Sequence, residues 1–268
     1  MATPASSDLI DAATAMSALV DVLDGQPTSP PSLYIDLEGV NLSRHGSISI
    51  LQVYVLPRRQ AYLVDDHTLG ETAFSAASPT TGRILKDILE AEDIPKVFFD
   101  VRNDSDALYS HFQISLAGIQ DLQLMEASVR EYPPKFVHGL AKCIGEAPDL
   151  LSPEEWTAWE AAKERGRDLF VPERGGSYAV FNERPLPEDI RLYCVQDVHL
   201  LPRLWEIYNK RLTPDWEGRV RDLSRDRVAL SQSPEFNGQG RHMALAPPEW
   251  REWFGTWFYR FEEVVLSE

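Results

Sequence analysis

The chain has 268 residues, of which 43% are hydrophobic, enough for one large globular domain with extensions. It contains no run of 18 apolar residues, which excludes a membrane-spanning helix, and Met1 to Leu9 has neither the basic start nor the apolar run of a secretory signal. A formal net charge of −16 repels polyanions at long range, and the two cysteines, Cys143 and Cys194, lack metal-ligand spacing and read as reduced core thiols of an intracellular protein, in nucleus or cytoplasm.

In chain order, Asp8 to Leu23 has helical periodicity and reads as an N-terminal helix, followed by a Pro-rich link from Gly25 to Ser32. Leu33 to Asp65 reads as three strands with a turn at Pro57-Arg-Arg. A helix is expected from about Thr81 to Glu92, strands at Lys96–Phe99 and Ile119–Leu122, and a helix over Asn103–Phe112. Met125–Tyr132 and Phe136–Ile144 read as short helical stretches. Ser152-Pro-Glu-Glu opens like a capped helix that runs to about Arg165, and a Gly-Gly turn with aromatics and arginines follows before Pro185. Pro187 to Tyr208 has helical spacing, with Pro202 expected to kink or break it near Leu201. Pro214–Leu230 reads as a helix whose Arg219, Arg221, Arg225 and Arg227 could touch nucleic acid, although the interspersed Glu217, Asp222 and Asp226 favour a solvated face. The stripe Trp250, Trp253, Phe254, Trp257, Phe258 and Phe261 has the spacing of a helix that packs on a core, a second copy or a protein partner. These elements divide the chain into an N-terminal helical extension and linker (1–31), a main domain (32–212, with an insertion at 150–185) and a C-terminal helical extension (213–268). Strands alternating with helices give the α/β class.

Three acid-bearing motifs stand out. In Tyr34-Ile-Asp-Leu-Glu-Gly39, Asp36 and Glu38 occupy positions i and i+2 of a strand and so project from the same face near its end. Two adjacent carboxylates repel unless a cation joins them, and Mg²⁺ or Mn²⁺ suits oxygen donors. Asp197 lies on the apolar stripe of its helix, one turn after Tyr193, where an acid needs a cation or several donors; Arg191 and Arg203 fall on other faces. Asp104 faces inward with Leu108 or else serves as a helix N-cap, whereas Asp106 turns toward solvent.

Asp36-Leu-Glu38, Asp104 and Tyr193-x-x-x-Asp197, in this order, resemble the motifs of the DEDD superfamily of 3′-5′ exonucleases in its tyrosine-bearing branch, which includes RNase D and the Werner exonuclease domain. The form Asp100-Val-Arg-Asn-Asp-Ser-Asp-Ala-Leu most resembles the Egalitarian-like eukaryotic subgroup. Leu192 stands where the histidine branch carries its His, and Phe99 where many relatives carry His. The resemblance implies an RNase H-like α/β fold, a mixed central sheet flanked by helices. It also implies hydrolysis of single-stranded RNA or DNA from the 3′ end to nucleoside 5′-monophosphates, with RNA slightly favoured. Two metal ions, Mg²⁺ or Mn²⁺, would clamp the attacking and leaving oxygens. Carried over, Asp36 would bridge both ions, Glu38 and Asp197 would hold the one that generates hydroxide, Asp104 would support the second, and Tyr193 would orient the attacking water. Arg44, Arg174 and Arg184 are candidates for phosphate contacts and Tyr178 for base stacking. The acidic surface implies short or weakly bound substrates, or a partner that supplies affinity. The alternative is an RNA-binding adaptor that keeps the fold without useful catalysis.

Overall fold

The computed structural model describes residues 6–131, 134–147 and 149–250. Six strands form one mixed sheet in the order β1-β4-β3-β2-β5-β6: β1 (Ser6–Ile10), β2 (Leu33–Glu38), β3 (Ile50–Val55), β4 (Gln60–Val64), β5 (Lys96–Phe98) and β6 (Ile119–Asp121). β2 pairs antiparallel with β3 and parallel with β5; β1 runs parallel to β4 at one edge. The helices are α1 (Ala13–Leu23), α2 (Asp66–Leu69), α3 (Thr72–Ser75), α4 (Leu85–Glu90), α5 (Arg102–Phe112), α6 (Leu122–Ser128), α7 (Leu140–Glu146), α8 (Pro153–Phe170), α9 (Glu188–His199), α10 (Leu201–Asn209) and α11 (Pro214–Ser231). No helix among the described residues is long and apolar enough to cross a membrane.

The sheet separates two cores, and strand alternation decides which side chain enters which. Leu33, Ile35 and Leu37 of β2 pack with Met16, Leu19, Leu89 and Leu108 on one face. Tyr34 faces the other core, with Ile190, Cys194 and Val198 of α9. A two-residue period therefore sends Asp36 and Glu38 to the α9 side. Gly39 ends the strand against the returning chain: a Cβ there would stand 1.9 Å from the carbonyl oxygen of Ser47.

Several expectations change. The N-terminal segment is not one helix. Residues 6–10 are an edge strand, and helix begins only at Ala13, because Ser6–Ile10 finds the open backbone edge of β4 while Met16, Leu19, Val20 and Leu23 form the buried stripe. Residues 6–23 are thus built into the sheet and core rather than appended to them. α4 covers only six of the residues expected from 81 to 92. α8 runs five residues beyond Arg165, to Phe170, whose ring is buried. The break at Pro202 is found as expected: α9 ends at His199 and α10 restarts at Leu201 with proline in its first turn, where no N–H bond is lost. Arg227 is buried, not solvated. It donates to Asp121 at 2.7 Å and to Gln123 at 2.9 Å, so that α11 is fastened to the end of β6. Of the C-terminal aromatic stripe, Trp250 is fully buried and meets Trp216 edge-on; the rest lies outside the described residues.

Candidate functional site

Three elements converge on one point. Asp36 and Glu38 leave the end of β2, and Asp197 arrives from α9, which crosses that face of the sheet. Donor oxygens of the three carboxylates all lie within 4.8 Å of one another. Asp104 joins them from the first turn of α5. The N-cap of that helix is Val101, so the capping role open to Asp104 is not taken; its side chain is buried and faces Asp36 and Glu38. The turn ahead of α5 is held firmly. Asp100 adopts a left-handed backbone (φ 63°), Asp121 accepts from the amides of Asp100 and Val101, and Arg102 and Arg227 bind the Asp100 carboxylate.

The electrostatics follow from the crowding. Burial, then the negative charge of Asp197, pushes the Asp36 carboxyl up to about 8. Glu38 and Asp104 are driven well above the ordinary carboxylate range by burial, and after that chiefly by Asp36. Asp197 is raised by burial, against the pull of a lysine. Tyr193 is held far above the usual phenol range by burial and by Asp197, Glu38 and Asp36, which places a neutral hydroxyl beside the acids. Four acids that destabilise one another's charge are the condition a divalent cation relieves.

The lysine is Lys163, which its sequence position did not mark. It projects from α8, is buried, and donates to Asp197 Oδ1 at 2.5 Å while standing 3.3 Å over the ring of Tyr193. Neither Arg191 nor Arg203 reaches Asp197; they bind Glu188 and the carbonyl of Asp149. Asp197 Oδ2 is buried and has no hydrogen-bond partner among the described residues. This orphaned oxygen, beside two further carboxylates, fits a hard divalent ion with oxygen ligands. One sign was legible: Trp156, Trp159 and Lys163 fall at i, i+3 and i+7 on one face of α8.

The candidate substrate contacts divide. Tyr178 packs on Phe170 at 5.8 Å, is half-buried, and stands between two cavities of about 760 and 810 Å³ that border Asp197 and Glu38 respectively. The arginines do not stand ready for phosphate. Arg44 gives its Nε to Asp106 at 2.7 Å and its other nitrogens to the carbonyls of Ser231, Ser233 and Pro234. Asp106 is accordingly buried as the anchor of the loop after β2, not turned to solvent. Arg174 binds Glu164 and Asp168. Arg184 makes two bonds of 2.5 Å to Asp65.

No curated protein matches the chain by sequence. Among solved structures, Trypanosoma brucei RNase D in complex with GMP overlays with a TM-score of 0.70 at 18% identity, over 92% of this chain and 70% of that one. Escherichia coli RNase D, an exoribonuclease involved in structured RNA processing, gives 0.56 at 18% identity, over 85% and 51%. Brucella melitensis NrnC gives 0.52 at 19% identity, over 77% and 90%. These overlays share the RNase H-like sheet with flanking helices. The sequence profile of the 3′-5′ exonucleases matches residues 8–213, from β1 through α10, which includes all four acids and Tyr193. With three quarters of its length matched, the chain belongs to the 3′-5′ exonuclease family of nucleases.

Proposed function

We propose that this nuclease is of the tyrosine type within its family, the reading that Tyr193 and Leu192 support, and that it removes nucleoside 5′-monophosphates from the 3′ end of single-stranded nucleic acid, RNA before DNA. The observation that carries the reading is the meeting of Asp36, Glu38 and Asp197 oxygens within 4.8 Å, with Asp197 Oδ2 left without a partner. The family uses divalent metals, and Asp36, Glu38, Asp104 and Asp197 would hold two Mg²⁺ or Mn²⁺ ions here. When bound, such a pair supplies an activated water and charge stabilisation at the transferring phosphate.

The remaining roles belong to the chain itself. Tyr193, neutral and fixed between Lys163 and Phe170, orients the attacking water with its hydroxyl. Lys163 holds Asp197 by one oxygen and so aims the other. The terminal base enters the 760 Å³ cavity, whose floor includes Trp156 and Trp159, stacked at 5.3 Å, with Tyr178 at the divide. Water adds to phosphorus, the bond to the 3′ oxygen of the preceding nucleotide breaks, and that oxygen leaves as a hydroxyl.

End-labelled RNA and DNA incubated with Mn²⁺ or with EDTA test the proposal. Products retreating from the 3′ end, lost with EDTA and in Asp36→Ala, are expected. The rival reading, a binding protein without cleavage, draws on the net charge of −16 and on the ammonium already beside Asp197. Tight RNA binding with no product in either metal would establish it.

A further inference from the structure

A second cluster of metal-ligating side chains lies outside the acid site and shares no residue with it. Glu126 of α6, His138 of the segment before α7, and Cys143 of α7 bring one ligand atom each within 4.8 Å of one another. Glu146, one turn after Cys143 on the same face of α7, lies beside His138 but outside that 4.8 Å group, and its exposed carboxylate would complete the set by swinging inward. His138 Nδ1 is 3.3 Å from Glu126 Oε1 and 3.3 Å from Glu146 Oε2. Yet this buried nitrogen makes no hydrogen bond to either. Tetrahedral Zn²⁺ with N and O bonds of 2.0–2.1 Å sets those ligand atoms roughly 3.3–3.4 Å apart. The spacing is thus that of two edges of such a tetrahedron, and the 4.8 Å limit admits the longer bond to sulfur.

We propose that Glu126, His138, Cys143 and Glu146 form a site for a borderline-soft divalent ion of the Zn²⁺ class. The donor set (carboxylate, imidazole, thiolate) favours such an ion over Mg²⁺, which the all-oxygen cluster suits better. The surroundings support the ligands. Tyr208 borders the same small cavity as Cys143, and Arg130 grips Glu126 through Nε at 2.8 Å and through Nη2, leaving the carboxylate its other lone pairs. Cys143 is buried, and Glu146 lies at the rim with its side chain 58% exposed, so the ion would enter from that side. Bound there, it would tie α6, the 134–139 segment and α7 together. α7 also walls the proposed base cavity, so the ion would stiffen one side of it.

Co²⁺ is the probe, added to the metal-stripped full chain in excess Mg²⁺, which leaves the oxygen-only site to the harder ion. One equivalent should produce a thiolate-to-cobalt charge-transfer band. The band should vanish in Cys143→Ser, survive in Cys194→Ser, and need at least about tenfold more Co²⁺ in His138→Gln. Zn²⁺ should displace the Co²⁺ and raise the melting temperature of the wild type. If Cys143→Ser does not fold, as judged by circular dichroism, His138→Gln decides alone. No band at one equivalent, a band that follows Cys194 instead, or unchanged affinity in His138→Gln overturns the assignment.

Discussion

Lys163 and Lys96 are both buried lysines, and their surroundings give them opposite work. Lys163 meets a carboxylate and a ring face, so its charge is answered twice, and what it contributes is the orientation of Asp197. Lys163→Met should therefore lower kcat/KM by about 10–100-fold, the usual cost of losing a group that positions a metal ligand, with Mn²⁺ affinity falling alongside. Titration of Mn²⁺ by electron paramagnetic resonance checks the second half independently of turnover. Among the described residues Lys96 hydrogen-bonds only the carbonyls of Ile88 and Ala91, and burial, against the pull of Glu92 and Asp93, lowers its ammonium to about 7. The folded state then binds fewer protons than the unfolded chain between about 7 and the ordinary 10.5. Its contribution to stability is complete above the upper value and is lost as pH falls through the lower one. Measured against Lys96→Met by denaturant titration, the wild type should gain about 2 kcal/mol between pH 6 and pH 9. A flat difference would mean that Lys96 keeps its charge in the core.

The contact of α8 with α9 is the element on which the site depends most and which the sequence displays least. Its capping box, Ser152 with Glu155, was plain, and both hydrogen bonds are made. Strand β2 was legible for a related reason: alternation over six residues has one outcome, and that outcome puts Asp36 and Glu38 on one face. What α8 packs against could not be read, because a helical stripe names no partner. Its glycine supplies the answer afterwards. A Cβ on Gly166 would stand 2.7 Å from Tyr193 Cβ and 2.8 Å from its Cδ2, so the two helices meet at a distance only glycine allows. Gly166→Ala should force α8 outward, moving Lys163 from Asp197 and Tyr193 from the acids. We expect at least about a tenfold loss of kcat, since small misplacements of reacting groups are costly, with KM for Mn²⁺ also raised. Thermal stability should change by under about 2 kcal/mol, because added methyl groups at helix contacts cost about that and alanine favours helix. An active Gly166→Ala enzyme would show that the close approach serves packing alone.

At the scale of the whole molecule, the charge and the fate of the arginines point the same way. The sequence offered Arg44, Arg174 and Arg184 as phosphate contacts; it could not show that each had an acid waiting within the fold. Asp106, Glu164 with Asp168, and Asp65 take those guanidinium groups and make each arginine part of a clamp between segments of the fold. Of the basic groups on the Asp197 side of the site, Lys142, Lys163 and Arg167 line the cavity itself, and each stands beside a carboxylate, of Glu146, Asp197 and Glu164 respectively. A chain of net charge −16 with three such groups, all already paired, cannot hold RNA by releasing many counterions. Single-stranded binding should then fall with salt with a log–log slope of about 0.7 per phosphate neutralised, a magnitude of about 2 or less. Binding of a short oligonucleotide to Asp36→Ala between 50 and 200 mM salt, roughly the range in which such slopes are read, gives the number directly. A slope near 4 would require a basic track that these residues do not form. A slope near 1 would leave base stacking on Trp156, Trp159 and Tyr178 as the source of affinity, and would make the loss on Trp156→Ala larger than that on Lys142→Ala.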